Sequence, residues 1–182
     1  MILRGWVHRL HHTSLHDSVD RMAEGRVHLL YGLAGSGKTT LARALCADGA
    51  AVRFTLDERM IRLYPGLPFD SAGYGRQAEI VKDLIWSLAE QVLRSGVDVV
   101  LDWNSWSRER RAWAVDRAAK IPAAVILHRL NVTLDQATTQ AAQRGRDPQS
   151  MHAHQIGQQD NEHLASIMEP PSQSEGFDII DR

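Results

Sequence analysis

The chain has 182 residues, 43% hydrophobic and 24% charged, with a formal net charge of −1. That is enough chain for one domain burying about 70% of its unfolded surface, and no run of about 18 apolar residues exists to cross a membrane. Near-neutral charge argues against general binding of nucleic acid, and an N-terminus without an apolar signal core points to the cytoplasm.

Residues 1–25 read as a His-rich N-terminal extension. His8, His11, His12 and His16 share a helical face at i, i+3, i+4, i+8 spacing. That spacing suits a zinc or nickel site or a solvated leader helix, since no carboxylate or Cys completes a ligand set. From residue 26 strands and helices alternate. The apolar run 26–31 predicts a strand, and 38–48 a helix rich in good helix formers. The single Cys46 falls in that helix as a small packing residue. A second strand covers 51–56 and ends at Asp57, which starts a short helix over 57–64 as its N-cap. Pro65-Gly66-Leu67-Pro68 is a turn. A long helix follows over 74–95, closed by Gly96. The third strand, 97–101, ends at Asp102. Ser107 is the candidate N-cap of a helix over 107–120. The remaining elements are a strand over 124–128, a helix from Thr133 to Arg144, a helix over 151–167 and a fifth strand over 177–180. This alternation predicts an α/β protein with a mostly parallel sheet and helices on both faces, in one domain from 26 to 182.

Residues 32–39, Gly-Leu-Ala-Gly-Ser-Gly-Lys-Thr, match the phosphate-binding loop G-x-x-x-x-G-K-[ST] at every fixed position, between a strand and a helix as the motif requires. Glycines permit φ > 0 and leave room for a phosphate. Successive N–H groups then form an anion nest at a helix N-terminus. The expected nucleotide-binding set is Gly32, Leu33, Ala34, Gly35, Ser36, Gly37, Lys38, Thr39 and Thr40. Lys38 carries charge for the β- and γ-phosphates, and the Thr39 hydroxyl is a hard oxygen ligand for Mg²⁺.

Ligands of open α/β sheets lie beyond the carboxyl ends of the strands. Asp57 is there the candidate base for a substrate hydroxyl. Asp102, after an apolar run, follows the Walker-B pattern of a carboxylate that holds Mg²⁺. Asn104 lies in the same loop. Arg108, Arg110 and Arg111 follow it, with Arg108 or Arg111 the candidate for gripping substrate, or a solvated face as the alternative. Arg144 and Arg146 flank Gly145 where small kinases carry a lid, near 144–150; there an arginine stabilises the transferring phosphoryl group, or merely complements a helix C-terminus. Trp103 and Trp106 fall in the site loop and Trp113 on a helix, for stacking on substrate or for packing.

GLAGSGKTT (32–40), FTLDERMIRLYPG (54–66), VDVVLDWNSWSRERR (97–111) and MEPPSQSEGFDII (168–180) together resemble the small AAA-type P-loop kinase-like ATP-binding proteins. Those are related to zeta toxins, the kinase domain of polynucleotide kinase and chloramphenicol phosphotransferase. The resemblance covers residues 26–182. It implies a nucleoside-kinase-like three-layer α/β/α fold with five parallel strands in the order 2-3-1-4-5. It also implies ATP·Mg²⁺ as phosphoryl donor and Asp57 as base. Relatives often carry Arg three residues after this Asp; here Met60 stands there, with Arg59 and Arg62 beside it, and Arg59 is the candidate substrate contact.

The expected function is a kinase moving the ATP γ-phosphate to a hydroxyl of a small molecule or nucleotide. Catalysis would rest on Lys38, Asp57 and Arg144, with metal at Thr39 and Asp102 and acceptor at Arg59, Asn104 and Arg108. The alternatives are a nucleotide-dependent ATPase switch and a zeta-toxin-like sugar-nucleotide kinase. A guanine-reading Asn-Lys-x-Asp is absent, and the chain is shorter than an AAA+ motor requires. Monomer and dimer are both compatible with the sequence.

Overall fold

In the computed structural model, residues 25–121, 123–144 and 157–182 are described, Arg144 by its backbone alone. Of the His-rich extension over 1–25 only residue 25 is described, and of the expected lid near 144–150 only the Arg144 backbone; the rest lies outside the described residues.

Five strands lie parallel in one sheet: β1 (Val27–Tyr31), β2 (Ala51–Thr55), β3 (Asp98–Asn104), β4 (Val125–Arg129) and β5 (Asp178–Asp181), in the order β2-β3-β1-β4-β5. Among the described residues six α-helices accompany them: α1 (Lys38–Leu45), α2 (Leu56–Leu63), α3 (Ala72–Arg94), α4 (Arg108–Ala118), α5 (Leu134–Arg144) and α6 (Gln158–Ile167). The order is the one that the family resemblance implies.

Strand periodicity splits the core in two. Val27 and Leu29, with Val99, Leu101, Val125 and Leu127, pack against α3 through Val81, Ile85, Ala89 and Leu93, and against α4 through Ala114 and Ala118. On the other face Leu30, Val100 and Ala51 meet Ala42 of α1, with Leu41, Leu45 and Cys46 alongside. Cys46 thus packs as expected, although it stands at the C-cap of α1 rather than within the helix. β1 and β3 are neighbours whose following helices lie on opposite faces of the sheet. That divergence opens a crevice at their carboxyl ends.

Three of the boundaries that differ from the sequence reading bear on the site. β2 stops at Thr55 and α2 begins at Leu56, because the Leu56 side chain is buried in the first helical turn, not in the sheet. Asp57 therefore sits inside the first turn, and Thr55 holds the cap position. β3 continues through Asp102 and Trp103 to Asn104. A register shift makes this possible: Leu29 pairs with Leu101, but Leu30 with Asn104. The long helix starts at Ala72 because the Ser71 hydroxyl accepts from the Tyr74 N–H. Gly96 follows that helix at φ +83°, as the sequence predicts for its stop.

Candidate active site

β1 delivers the chain into the glycine loop, and Gly37 (φ +93°) turns it into α1 without any capping side chain. The first-turn N–H groups of α1 thus lack the intrahelical partners of later turns. Gly35 has φ +86°, and a Cβ there would stand 2.1 Å from the Ala137 carbonyl oxygen and 2.8 Å from the Ala141 nitrogen. Only glycine lets the loop rest directly on the α5 backbone. Lys38 Nζ donates to the carbonyls of Gly32 (2.9 Å) and Leu33 (2.6 Å), so its charge is held over the loop. Both peptide groups of Ala34 pair with the amide of Asn161. Ser36 Oγ is buried with no hydrogen-bond partner among the described residues.

The Thr39 hydroxyl donates to Asp102 Oδ1 at 3.3 Å. These two hard oxygen groups come from α1 and β3, which meet behind the loop. Asp102 Oδ2 accepts from Arg53 Nε (2.8 Å) and Nη2 (2.7 Å), and the same Nη2 bonds Glu58 Oε1 at 2.8 Å. Burial pulls the Glu58 carboxyl upward, but hydrogen bonds and charge from Arg53 outweigh it and lower its pKa. No group of three or more His, Cys, Asp or Glu among the described residues is placed to hold a metal. A metal here would take protein oxygens from Thr39 and Asp102 and the rest from ligand and water, the habit of Mg²⁺.

Asp57 is exposed in the first turn of α2, at the carboxyl edge of the sheet. Tyr74 in α3 feels its charge. Burial, reinforced by Asp57 and opposed by Arg110, pushes the Tyr74 phenol up to about 12, so it is a protonated hydrogen-bond donor at neutral pH. Arg59 Nη1 donates to Thr55 through its carbonyl (3.1 Å) and hydroxyl (3.0 Å), with the guanidinium 5.7 Å from the Phe54 ring centroid. Asn104 Oδ1 is buried without a partner among the described residues.

Arg108 is exposed at the start of α4, and its N–H donates to the Glu169 carboxylate. Arg111 has a different place from the one its sequence neighbours suggest. It is 0% exposed, bonded to Glu175 through Nε (2.7 Å) and Nη2 (3.0 Å), and to the carbonyls of Ser105 and Glu169 through Nη1. It is a buried strut and not a substrate contact. With the Glu169 N–H donating to the Trp106 carbonyl, it ties the 168–175 tail onto the turn after β3, which gives the tail motif its structural meaning. Trp103 is buried on the core side against Trp113, while Arg110 lies over Trp106 at 5.2 Å. The Arg144 side chain and Arg146 lie outside the described residues.

The sequence profile of the AAA domain family matches residues 27–164. The chain belongs to the AAA domain family. Within that family its fold is that of the small P-loop kinase-like proteins, as three solved structures illustrate. Kti12 from Chaetomium thermophilum, in complex with ADP-AlF3, superposes with a TM-score of 0.64 at 19% identity, over 86% of this chain and 88% of that one. The APS kinase CysC from Mycobacterium tuberculosis, in complex with AMPPNP and APS, gives 0.56 at 18% identity over 87% and 88%. A gluconokinase from Sinorhizobium meliloti gives 0.52 at 15% identity over 88% and 84%. At these identities the likeness is one of fold. No curated protein sequence matches this AAA domain.

Four site residues have no role in the sequence reading. Arg53 sits in a strand where alternation marks it only as a polar face residue. Glu58 and Tyr74 lie in ordinary helical stretches. Asn161 stands in the polar run Gln-Gln-Asp-Asn-Glu-His, where nothing sets it apart.

Proposed function

We propose that this AAA domain is an ATP-dependent phosphotransferase that moves the γ-phosphate of ATP·Mg²⁺ to a hydroxyl group of a small molecule or nucleotide. The observation that carries the reading is an exposed carboxylate, Asp57, at the same sheet edge as the loop of 32–39 and the Thr39–Asp102 pair.

The residues suit the two groups that the fold implies. Positive-φ glycines and the N-terminus of α1 suit phosphate oxygens. Thr39 and Asp102 would hold Mg²⁺, which neutralises charge on the phosphates when bound. The glycine loop and the N-terminus of α1 would cradle the β- and γ-phosphates, and Lys38, already held over the loop, would add fixed positive charge. Asp57 would accept the proton of the acceptor hydroxyl as its oxygen bonds to the γ-phosphorus and the bond to the β,γ-bridging oxygen breaks. Arg59, with Nε and Nη2 beyond its bonds to Thr55, the orphan Asn104 Oδ1 and the exposed Arg108 would orient the acceptor.

The test is a radiolabelled γ-phosphate transfer screen over nucleosides, nucleic-acid ends, sugar nucleotides and aminoglycoside-like alcohols, run beside Asp57→Asn. Asp57→Asn is expected to bind ATP as the parent does and to transfer about 10²-fold slower or less. Full transfer by that variant removes Asp57 from the role of base. Hydrolysis with no labelled acceptor in any class replaces the kinase reading with the switch.

A further inference from the structure

We infer that Asn161 is the positioning residue of the phosphate loop: its side-chain amide, on α6, sets the shape of the loop by pairing with the backbone of Ala34. The catalytic consequence rests on the proposed phosphotransferase reading; the structural one does not.

Asn161 is 0% exposed and is the buried residue of α6, in a helix whose neighbouring side chains are mostly in solvent. Its Oδ1 accepts from the Ala34 N–H at 3.0 Å, and its Nδ2 donates to the Ala34 carbonyl at 2.9 Å. The second Nδ2 hydrogen reaches Thr138 Oγ1 on α5 at 3.4 Å. Both donors and one acceptor position of the amide are thus used, nearly its full capacity. The pairing reads backbone, so the identity of residue 34 is immaterial to it. The next residue, Gly35, rests on α5 at Ala137 and Ala141 so closely that a Cβ would not fit. Ala34 and Gly35 are therefore gripped from α6 and α5 together, 127 positions in sequence from Asn161 to Ala34.

A loop with three glycines in eight residues has many backbone states of its own. Fixing one of them before the ligand arrives removes an ordering cost from binding. The grip also takes both Ala34 peptide groups out of contention for a phosphate. Anion contacts are left to the downstream N–H groups of Gly35 and of the α1 first turn.

The experiment compares the intact protein with Asn161→Leu and Asn161→Asp by amide hydrogen exchange, ADP titration calorimetry and denaturant unfolding. In Asn161→Leu, Ala34 exchange rises at least about tenfold and ADP affinity falls about tenfold, the scale of one lost hydrogen bond, while α3 amides keep their protection. Asn161→Asp retains the acceptor and keeps the Ala34 amide protected. A purely structural role lowers global stability and leaves ADP affinity and the loop amides of the folded protein unchanged; that result overturns the inference. If Asn161→Leu does not fold, the unmodified protein decides. Its Ala34 amide must open together with the α6 amides, and rapid independent exchange of Ala34 refutes the grip. Because ADP binding and exchange are read, not transfer, a failed acceptor screen leaves this inference standing. Conversely, transfer activity with an ADP affinity indifferent to Asn161 sinks it alone.

Discussion

Arg53 directs two of its nitrogens, at 2.8 and 2.7 Å, onto a single oxygen of Asp102, while Thr39 faces the other oxygen at 3.3 Å. The carboxylate proposed to hold Mg²⁺ is thus half engaged by a resident cation. Arg53→Met leaves Asp102 and Glu58 without their counterion. Glu58 is partly exposed, so the cost falls below that of a fully buried pair, at about 2 kcal/mol in denaturant unfolding. Because Asp102 Oδ2 becomes free, added Mg²⁺ should raise the Tm of the variant more than that of the parent. Equal shifts would show that the metal does not compete with Arg53.

Arg111 belongs to the architecture. Arg111→Met strands Glu175 in the interior and is expected to cost about 3–5 kcal/mol. Combining it with Glu175→Gln should recover much of that loss, since the buried charge goes with its partner. A double-mutant cycle in urea measures the coupling. Coupling near zero would contradict the strut.

Two loop glycines separate strain from collision. Gly37 needs φ +93° but has open space, its nearest neighbour being Leu130 Cδ2 at 3.9 Å. Gly37→Ala should cost about 1–2 kcal/mol of backbone strain alone. Gly35→Ala meets the same strain and also the α5 backbone at 2.1 Å. It should destabilise clearly more in the same thermal melt, and the reverse order would be inconsistent with the packing of the loop on α5.

A hydrogen-bonded chain crosses the sheet from β3 through β1 and β4 to Arg182. Arg182 Nε donates to His128 Nδ1 (3.3 Å), His128 Nε2 meets His28 Nδ1 (2.9 Å), and His28 Nε2 meets Asp98 (3.1 Å). Those partners fix the tautomers: each imidazole donates from Nε2 and accepts at Nδ1. Burial, with the charges of His28 and Arg182 acting the same way, pulls His128 down to about 4. The unfolded imidazole titrates near 6.5. A depressed histidine stabilises the fold fully above about pH 6.5, and that contribution is lost as the pH falls through about 4. His128→Asn, which keeps an acceptor and a donor but no titration, should flatten the dependence of Tm on pH between those values. An unchanged slope would remove His128 from the acid response.

The sequence carried those parts of the site that depend on local rules. Glycine spacing, an apolar run ending in Asp102, and Ser107 as a cap are all written in short windows. Less legible were contacts between distant segments. The run Arg-Glu-Arg-Arg looks like a solvated face, and only the tail carrying Glu169 and Glu175 turns Arg111 inward. β2 and α2 share one apolar stretch, so the change from period 2 to period 3.6 at Leu56 has no sequence mark. Asn161 is hidden for the same reason: its partner is a peptide group, and backbone has no residue type to recognise.

Trp86, Trp113 and Trp103 form an edge-to-face series with centroids 5.8 and 6.2 Å apart, and Trp103 lies between Asp102 and Asn104 in β3. Lys82 and Arg117 stand over Trp113 at 4.7 and 4.1 Å. The protein therefore has a built-in optical probe. Light absorbed by any one of these indoles migrates to the others, and their shielding from water shifts the emission to the blue. A molecule that engages either flanking residue of Trp103 perturbs that emission, so occupancy of the crevice can be followed in unlabelled protein.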